Sequence, residues 1–548
     1  MTSIRRIDPH GSDGCLPDRR RGRRLTSFRN LPLLLVMAAF ATPAGCARHD
    51  PSTPPYDLLI RGGRVVDGTG APARAADVLV RSGKIAYVGP VDPDTLVVRE
   101  RFDAAGLVIA PGFIDAHAHG DPVGEGNFQN FLAQGVTTIV LGQDGESPEV
   151  GRLARHLADV DAAHPGVNVA YLVGHNTIRT ESGIGFGDPG PEGLLRMQEL
   201  VEQGLEAGAF GLSTGLEYDP GSRARTDELV AIARPVAAVD GVVTSHLRNE
   251  DVDRVAASLD ELIQQGRRSG ARVHVAHMKV VLGTDTALAT ELLNAMAEAR
   301  ASGVEVSADI YPYTASFTGL SILFPDWARP PADYATVVRK RRSELATYLR
   351  ERVESRNGPE ATRFGTGPIA GRTLAAVAEE RGVPFEQVLI DLGPGGASAA
   401  YFVMDDDVMR RLLMDPRVVI SSDGSPAMLH PRGYGSFAGV IRRFVTDERS
   451  LSLEEAVRKM SGATAGIYRL DDPSLSDPPR GRVREGWAAD LVAFAPGDVR
   501  DAADFEHPHR LAKGIRSVWV NGSRAWGPEG QVPPTGSGVA LRARRSPS

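Results

Sequence analysis

The stretch that decides the fold is Pro111-Gly112-Phe113-Ile114-Asp115-Ala116-His117-Ala118-His119, a short apolar strand that ends on two histidines. His117 and His119 are two positions apart, so on a β-strand their imidazoles point to the same side and can bind one cation. A bare pair of this kind also occurs as two hydrogen-bonded polar residues at the end of a strand. The strands that follow distinguish these two interpretations.

The centre of the chain alternates short apolar stretches with longer segments of helical periodicity, a pattern typical of βα units around a parallel sheet. The predicted strands are 113–117, 136–141, 167–173, 210–213, 242–246, 273–277, 304–310 and 418–423. Eight strands are the number that a TIM-type (β/α)8 barrel requires, so the sequence predicts an α/β fold of this type. The interval 311–417 is longer than one crossover helix, and we expect an inserted cap at about 312–400 over the barrel mouth.

Three further polar side chains stand at the ends of predicted strands. His246 ends the fifth strand, His277 the sixth and Asp423 the eighth. The carboxyl ends of the strands in such a barrel meet at one mouth, where barrel enzymes place their catalytic groups. Together with His117 and His119, these residues indicate a centre for a divalent metal.

Both ends of the chain carry short β-branched runs separated by turn residues, at 58–88 and again at 490–495 and 515–522. Neither half is long enough to bury a core alone, so the two ends are predicted to form one small β-sandwich. The predicted division is a leader and linker at 1–50, the sandwich at 56–111, the barrel at 112–475, the second part of the sandwich at 476–535, and a disordered tail at 536–548.

The leader is typical of an export signal, because an Arg-rich stretch precedes the apolar run 31–41 and small residues follow. The apolar run is shorter than the ~20 residues that a membrane-spanning helix needs. Ala44-Gly45-Cys46 resembles a bacterial lipobox, in which Cys46 would be lipidated. We therefore expect an exported protein, either periplasmic or anchored to the membrane as a lipoprotein.

The composition limits the chemistry of the catalytic body. Cys15 and Cys46 are the only cysteines, and both lie in the leader, so the body has no disulfide, thiolate nucleophile or cysteine metal ligand. The formal net charge of -7 is spread along the chain without a basic stripe, so we do not expect nucleic acid as a partner. Catalysis must use oxygen and nitrogen groups.

A series of motifs runs through the chain after residue 56. They are VVDGTG at 65–70, the strand 111–119, GVTT at 135–138, GHNTIR at 174–179, GAFGLSTGL at 208–216, SHLR at 245–248, HVAHMK at 274–279, DIYPY at 309–313, SDG at 422–424, HPR at 430–432 and VWVNG at 518–522. In order and spacing they resemble the amidohydrolase superfamily, and within it the N-acyl-D-amino-acid deacylases, or D-aminoacylases. The resemblance implies hydrolysis of N-acyl-D-amino acids to a carboxylate and a free D-amino acid.

One turn departs from the family pattern. The family commonly has Gly-Asn-Cys-Gly after the second strand, with a thiolate that bridges two metals, whereas this chain has Gly142-Gln143-Asp144-Gly145. An aspartate can also bridge two cations through its two oxygens, although an Asp in this position very often only caps its glycine-flanked turn. The resemblance implies one or two zinc ions, and the loss of the soft ligand is expected to weaken the preference for zinc over manganese or cobalt.

The resemblance also implies roles for other residues. A divalent cation lowers the pKa of bound water, and Asp423, besides being a ligand, would accept the proton and pass it to the leaving amine. Lys279, Tyr311 and Arg432 would contact the carboxylate and carbonyl of the small-molecule substrate. Taken alone, Lys279 and Arg432 would more often be solvated surface charges, and Tyr311 would more often be a core aromatic.

Two other readings of the function are compatible with the same ligands. A hydrolase of cyclic amides, or a dipeptidase for D-residues or isopeptide-linked residues, would use the same metals and base. A metal-free surface lipoprotein that binds cell-wall fragments is the alternative from another class. All the proposed ligands are acceptable metal-binding types, which argues against such a decayed enzyme.

Overall fold

The computed structural model describes residues 55–532 and 536–544, so the predicted leader and the lipidation of Cys46 lie outside the described residues. The strands are β1 Tyr56–Arg61, β2 Arg64–Val65, β3 Arg74–Ala75, β4 Asp77–Arg81, β5 Lys84–Gly89, β6 Val98–Asp103, β7 Val108–Pro111, β8 Phe113–Asp115, β9 Val136–Leu141, β10 Asn168–Tyr171, β11 Val173–Gly174, β12 Gly211–Gly215, β13 Val242–His246, β14 Arg272–Val275, β15 Val306–Ile310, β16 Ser316–Gly319, β17 Thr362–Phe364, β18 Ser398–Tyr401, β19 Val418–Ile420, β20 Leu491–Phe494, β21 Ile515–Val520, β22 Ser523–Gly527 and β23 Gly530–Gln531.

The helices connect and cover these strands. They are α1 Gln129–Leu132, α2 Leu153–Ala163, α3 His175–Glu181, α4 Gly190–Glu206, α5 Thr226–Ala238, α6 Val255–Ser269, α7 Thr286–Ala301, α8 Tyr334–Glu354, α9 Leu374–Arg381, α10 Phe385–Leu392, α11 Asp406–Leu413, α12 Arg432–Gly439, α13 Leu453–Met460 and α14 Gly462–Ile467, and a π-helical segment Val440–Asp447 continues α12. Within the described ranges, none of these helices combines the length and the apolar character that a bilayer crossing requires.

The small β domain is assembled from both ends of the chain. One sheet has the order β5-β4-β1-β6, and a second sheet has the order β23-β22-β21-β20-β7-β2-β3. The join is the antiparallel pair of β20 and β7, with Leu491 opposite Pro111. The core between the two sheets includes the fully buried Trp519 and Ile60. The prediction that both ends form one β domain is confirmed.

The barrel strands run parallel in the order β8, β9, β10 with β11, β12, β13, β14, β15 and β19. The last strand meets the first through the Asp423 amide, which donates to the His117 carbonyl at 2.8 Å, and the His119 amide, which donates to the Gly424 carbonyl at 2.8 Å. This confirms the predicted eight-stranded TIM-type barrel. Three strands end earlier than predicted, at Asp115, Val275 and Ile420.

The early strand ends have a local cause. His277 and Asp423 have positive φ angles of 34° and 47°, which a β-strand does not contain. The backbone therefore leaves the strand before each of these residues and turns its side chain towards the barrel axis. His117, His277 and Asp423 lie just beyond the strand ends, whereas His246 is the last residue of β13.

The long interval after β15 folds as a cap with its own core. Its strands form a small antiparallel sheet in the order β16-β18-β17, and α8, α9 and α10 lie beside it. Leu345, Leu349, Phe364 and Leu374 are buried in a hydrophobic cluster separate from that of the barrel. A second core of this kind explains why the interval exceeds one crossover helix.

The prediction of a disordered tail at 536–548 is wrong for residues 536–544. The Leu541 amide donates to the Val169 carbonyl at 2.8 Å, and the Ala543 amide donates to the Gly208 carbonyl at 2.9 Å. Leu541 is buried in a cluster with Phe210 at the amino ends of the barrel strands. The backbone amides of the segment pair with the barrel, and the side chains of Ala540, Leu541 and Ala543 are buried.

Candidate metal centre

The first ligand group comes from the loops after β8 and β19. His117 Nε2 lies 3.3 Å from His119 Nε2, and His119 Nε2 lies 3.2 Å from Oδ1 of Asp423. His117 and Asp423 are buried, whereas the side chain of His119 is 37% exposed. The predicted pair of histidines therefore shares one position with a carboxylate, and this position is accessible from outside.

The second ligand group comes from β13 and the loop after β14. His246 Nδ1 lies 2.9 Å from His277 Nε2. The rings are almost perpendicular, with centroids 4.6 Å apart, so the two nitrogens converge on one point. His246 is the last residue of β13, and His277 follows the end of β14 by two residues. Adjacent strands of the barrel thus supply a second pair of imidazoles.

Asp144 lies between the two pairs of histidines. Its Oδ2 is 3.4 Å from His117 Nε2 and 3.5 Å from His119 Nε2, whereas its Oδ1 is 3.3 Å from His277 Nε2 and 3.7 Å from His246 Nδ1. Each oxygen faces a different pair, which is the arrangement that a bridging carboxylate requires. Among the described residues no backbone amide donates to this carboxylate, so a turn cap does not account for it.

The turn after β9 holds Asp144 in this position. Gly142, Asp144 and Gly145 have φ angles of 78°, 55° and 83°. Asp is one of the residue types that tolerates the left-handed region, and a glycine is needed on either side. A Cβ at Gly145 would lie 2.9 Å from the Gly215 amide nitrogen. The close approach to β12 therefore fixes the turn that aims the carboxylate at the barrel axis.

Two carboxylates that the sequence analysis missed hold the second pair of histidines from behind. His246 Nε2 lies 3.1 Å from Oε2 of Glu217. His277 Nδ1 lies 3.3 Å from Oε1 of Glu250 and 2.7 Å from the ammonium of Lys279, which contacts both side chains. A carboxylate on the far nitrogen orients a ligating imidazole and increases its basicity. Glu250 follows His246 by four residues, but its position depends on the loop after β13, which the sequence pattern does not reveal.

The electrostatics of the site fit a bound cation. Burial opposes protonation of His119, but the carboxylates of Asp144 and Asp423 outweigh it and raise the pKa of His119 to about 10. Burial opposes protonation of His246 as well, and Glu250, Asp144 and Glu217 raise its pKa to about 10. Protons on these rings balance the surrounding carboxylates, and a divalent cation would balance the same charge.

The donor set itself is chemically suitable for a divalent metal. The residues that can hold one ion are His117, His119, Asp144 and Asp423, and those that can hold a second are Asp144, His246 and His277. Imidazole nitrogen and carboxylate oxygen are ligands for zinc, manganese and cobalt. All six predicted ligands are therefore brought together, and Asp144 belongs to both groups.

A cavity of about 530 Å³ opens onto this centre, and the three predicted substrate residues line it. Lys279 and Arg432 are 4% and 1% exposed, so neither is a solvated surface charge. Lys279 Nζ donates to Oε1 of Glu250 at 2.6 Å, and Arg432 Nη1 lies 2.8 Å from Oδ2 of Asp423. The Arg432 guanidinium also lies 4.7 Å from the ring centroid of Tyr311. These side chains form a cationic wall beside the ligands.

Comparison with known proteins agrees with this geometry. A sequence profile of the amidohydrolase family matches residues 331–525. A D-aminoacylase from Alcaligenes xylosoxydans xylosoxydans is 34% identical over 498 residues, which are 86% of this chain and 95% of that relative. The chain belongs to the D-aminoacylase family of amidohydrolases. As a member of this family, it is a metal-dependent amide hydrolase that uses a divalent metal.

Solved structures of the D-aminoacylase family share the whole architecture. The N-acyl-D-glutamate deacylase from Bordetella bronchiseptica, crystallised with zinc and a phosphonate mimic of the tetrahedral intermediate, is 32% identical with a TM-score of 0.77, covering 89% of this chain and 100% of that chain. A D-aminoacylase studied for its binuclear metal centre is 33% identical with a TM-score of 0.75 and the same coverage. The predicted family and the predicted barrel with a small β domain are confirmed.

Proposed function

We propose that this chain hydrolyses the amide bond of N-acyl-D-amino acids and releases a carboxylate and a free D-amino acid. The observation that carries the proposal is the position of Asp144, whose two oxygens face two separate pairs of histidines at the floor of a cavity with a cationic wall. The D-aminoacylase and the N-acyl-D-glutamate deacylase to which the chain is similar supply the class of substrate.

Zinc is the proposed metal, in one or two ions. It is the metal in the phosphonate complex of the Bordetella relative, and the histidine-rich ligand set suits it. With Asp144 in place of a thiolate, the ligands are nitrogen and oxygen alone, so manganese and cobalt are expected to support activity as well.

The proposed chemistry divides between the metal and Asp423. A divalent cation at this centre would lower the pKa of water and polarise the substrate carbonyl. Burial opposes ionisation of Asp423, but Arg432 and the surrounding histidines outweigh it, so its pKa lies well below the usual range. Asp423 is therefore a carboxylate at neutral pH, able to take the proton of the attacking water and to deliver it to the leaving nitrogen.

The cationic wall suits the carboxylate of an N-acyl-amino acid. Nε of the buried Arg432 guanidinium has no hydrogen-bond partner among the described residues, and Nη1 faces the carboxylate of Asp423. A buried cation with an unused donor favours an anionic ligand, and a planar guanidinium matches the geometry of a carboxylate. Lys279 and the hydroxyl of Tyr311 would complete the contacts to the carboxylate and the scissile carbonyl.

Export remains part of the proposal. The Arg-rich leader, its short apolar run and the lipobox-like Ala44-Gly45-Cys46 support a periplasmic enzyme or a lipoprotein anchored through Cys46. Fractionation of cells that express the full chain and a Cys46→Ala variant tests this. Retention of the wild type in the cytoplasm contradicts export, and identical release of both forms in soluble fractions contradicts the lipid anchor.

A substrate panel tests the activity. N-acetyl and N-formyl derivatives of D- and L-amino acids, dipeptides with D- or isopeptide-linked residues, and cyclic amides are assayed with zinc, manganese or cobalt added to metal-depleted protein. We expect the N-acyl-D-amino acids to have the highest kcat/KM. Faster turnover of dipeptides or cyclic amides would assign the site to one of those reactions, and binding without turnover under any metal would contradict an enzyme.

A further inference from the structure

The proposed reaction assigns Glu217 no role beyond its contact with His246. It follows β12 by two residues and lines the cavity that opens onto the metal centre. Its Oε2 lies 3.1 Å from His246 Nε2. Among the described residues, Oε1 has no hydrogen-bond partner, and the side chain is 20% exposed. One oxygen of the carboxylate therefore orients His246 and the other faces the cavity.

Glu217 differs in its charge balance from Glu250 and Asp423, the two buried carboxylates beside the ligands. Glu250 is paired with Lys279 at 2.6 Å, and Asp423 with Arg432 at 2.8 Å. Within the described part of the chain, no Lys or Arg nitrogen lies within 4.0 Å of the Glu217 carboxylate. The one charge partner of Glu217 in the described ranges is His246, which would lose its proton on binding a metal, so in the metal-loaded protein no Lys or Arg side chain of these ranges would lie against this carboxylate.

A guanidinium also lines this cavity and would attract a group of the opposite charge. Arg356 also lines the cavity, and its Nη1 lies 2.9 Å from Oδ1 of Asp251. Asp251 accepts Arg352 as well, at 2.9 Å. Asp251 is shared by both guanidiniums, so this trio keeps a net positive charge, and an anionic substrate group is the competing occupant that N-acetyl-D-glutamate tests. The side chain of Glu217 is the more accessible of the two, with 20% exposure against 4% for Arg356, which favours a positive group on the substrate.

The space beside Glu217 accommodates an extended group. Glu217, Asp251 and Ile322 also line a second cavity of about 540 Å³ next to the first. The apolar side chains of Val281, Ile322 and Phe317 also line the first cavity. An aliphatic stem would contact these side chains, and a charge at its tip would reach the carboxylate.

We propose that Glu217 selects substrates that carry an ammonium or guanidinium group, and that it binds this group through Oε1. The inference rests on the proposed deacylase function and names a substrate class for it: N-acyl-D-amino acids with a cation in one half of the molecule. The cation lies either on the side chain of the D-amino acid, as in an N-acetyl derivative of D-lysine, or on the acyl half, as in an aminoacyl-D-alanine.

Pairs of substrates that differ in charge but not in shape separate this recognition from the effect of Glu217 on His246. The first pair is N-acetyl-D-lysine and N-acetyl-D-2-aminoheptanoate, and the second is β-alanyl-D-alanine and butanoyl-D-alanine. We expect the zinc-loaded wild type to prefer the cationic member by at least about tenfold in kcat/KM in one pair, as a desolvated charge pair allows. The pair that responds identifies the half that carries the cation.

The variant Glu217→Gln keeps an oxygen that accepts from His246 and removes the charge, so its preference is expected to fall to about onefold. Glu146→Gln is the matched control, because Glu146 lines the same cavity, and its preference should equal that of the wild type. Three results would overturn the proposal. The first is equal or better turnover of the neutral members by the wild type, and the second is an unchanged preference in Glu217→Gln. The third is faster turnover of N-acetyl-D-glutamate than of N-acetyl-D-lysine.

Failure of the deacylase function has a different signature, because none of these substrates would then be hydrolysed. In that case, calorimetric titration of the zinc-loaded protein with N-acetyl-D-lysine and N-acetyl-D-2-aminoheptanoate still tests Glu217. Tighter binding of the lysine derivative that is lost in Glu217→Gln supports the selection of a cation. Equal binding of both compounds contradicts it.

Discussion

Arg432 and Asp423 form a buried ion pair at the edge of the metal centre, with Nη1 of the guanidinium 2.8 Å from Oδ2 of the carboxylate. The other oxygen, Oδ1, lies 3.2 Å from His119 Nε2. One carboxylate thus connects the ligands to the cationic wall of the cavity. The pair keeps Asp423 ionised and places it beside the proposed positions of both the nucleophile and the substrate carboxylate.

Asp423→Asn removes the proton acceptor and preserves the shape of the side chain. We expect kcat to fall by a factor of roughly 10² or more while KM changes little, because general-base catalysis contributes about 10²–10⁴ in rate. Steady-state kinetics with the best N-acyl-D-amino acid measures this. Metal analysis of the same variant is needed, because Asp423 is also a predicted ligand, and near-normal turnover contradicts the assignment.

Asp144→Asn tests the bridging role. The amide keeps the left-handed turn that Asp144 adopts at a φ of 55° and removes the negative charge between the two groups of ligands. We expect the metal content, measured by mass spectrometry, to fall by at least one ion per chain, together with a loss of activity. Glu146→Gln in the same loop should retain the wild-type content. If Asp144→Ala kept the metal content and the activity of the wild type, Asp144 would not be a metal ligand.

Lys459 predicts a pH dependence of stability. Its ammonium is fully buried and donates to the Val418 carbonyl at 2.6 Å, and burial lowers the pKa of Lys459 to about 8. Since the unfolded chain holds this proton up to its ordinary pKa, the unfolded state binds more protons above pH 8, and the contribution of Lys459 to stability rises with pH. At lower pH the buried charge is a cost.

The comparison for Lys459 is with Lys459→Met in urea unfolding at pH 7 and pH 9.5. Between pH 7 and pH 9.5, we expect the free energy of unfolding of the wild type to rise by about 2 kcal/mol relative to that of Lys459→Met. Each pH unit above the lowered pKa contributes about 1.4 kcal/mol. Lys340→Met, at an exposed position on α8, serves as the control and should give a difference that does not change with pH. A shift in the opposite direction is incompatible with a lowered pKa.

The segment 536–544 predicts a stability effect without a catalytic one. Leu541 is 8% exposed and packs at the amino ends of the barrel strands, away from the metal centre. Leu541→Ala should lower the free energy of unfolding by about 2 kcal/mol or more, because a buried leucine is lost, while kcat stays near that of the wild type. Arg544→Ala is the matched control, with a side chain that is 62% exposed. A stability of Leu541→Ala equal to that of the control contradicts ordered packing of the tail.

The sequence by itself determined the barrel and most of the ligands. The alternation of apolar strands and helical segments predicts a parallel barrel, and the strands of such a barrel end at the same mouth. The sequence therefore placed five ligands together: His117, His119, His246, His277 and Asp423. The family pattern then pointed to Asp144, because its position in the turn is defined by the neighbouring glycines.

The tertiary structure decided what depends on the direction of side chains and on contacts between distant segments. Whether Asp144 caps its own turn or faces two pairs of histidines depends on φ angles and on the approach of β12, and neither follows from residue type. The contacts of Glu217 with His246 and of Glu250 with His277 depend on how separate loops fold, so the sequence did not predict them. The tail was misjudged for the same reason: its order comes from backbone hydrogen bonds to strands more than three hundred residues earlier in the chain, and composition carries no information about such partners.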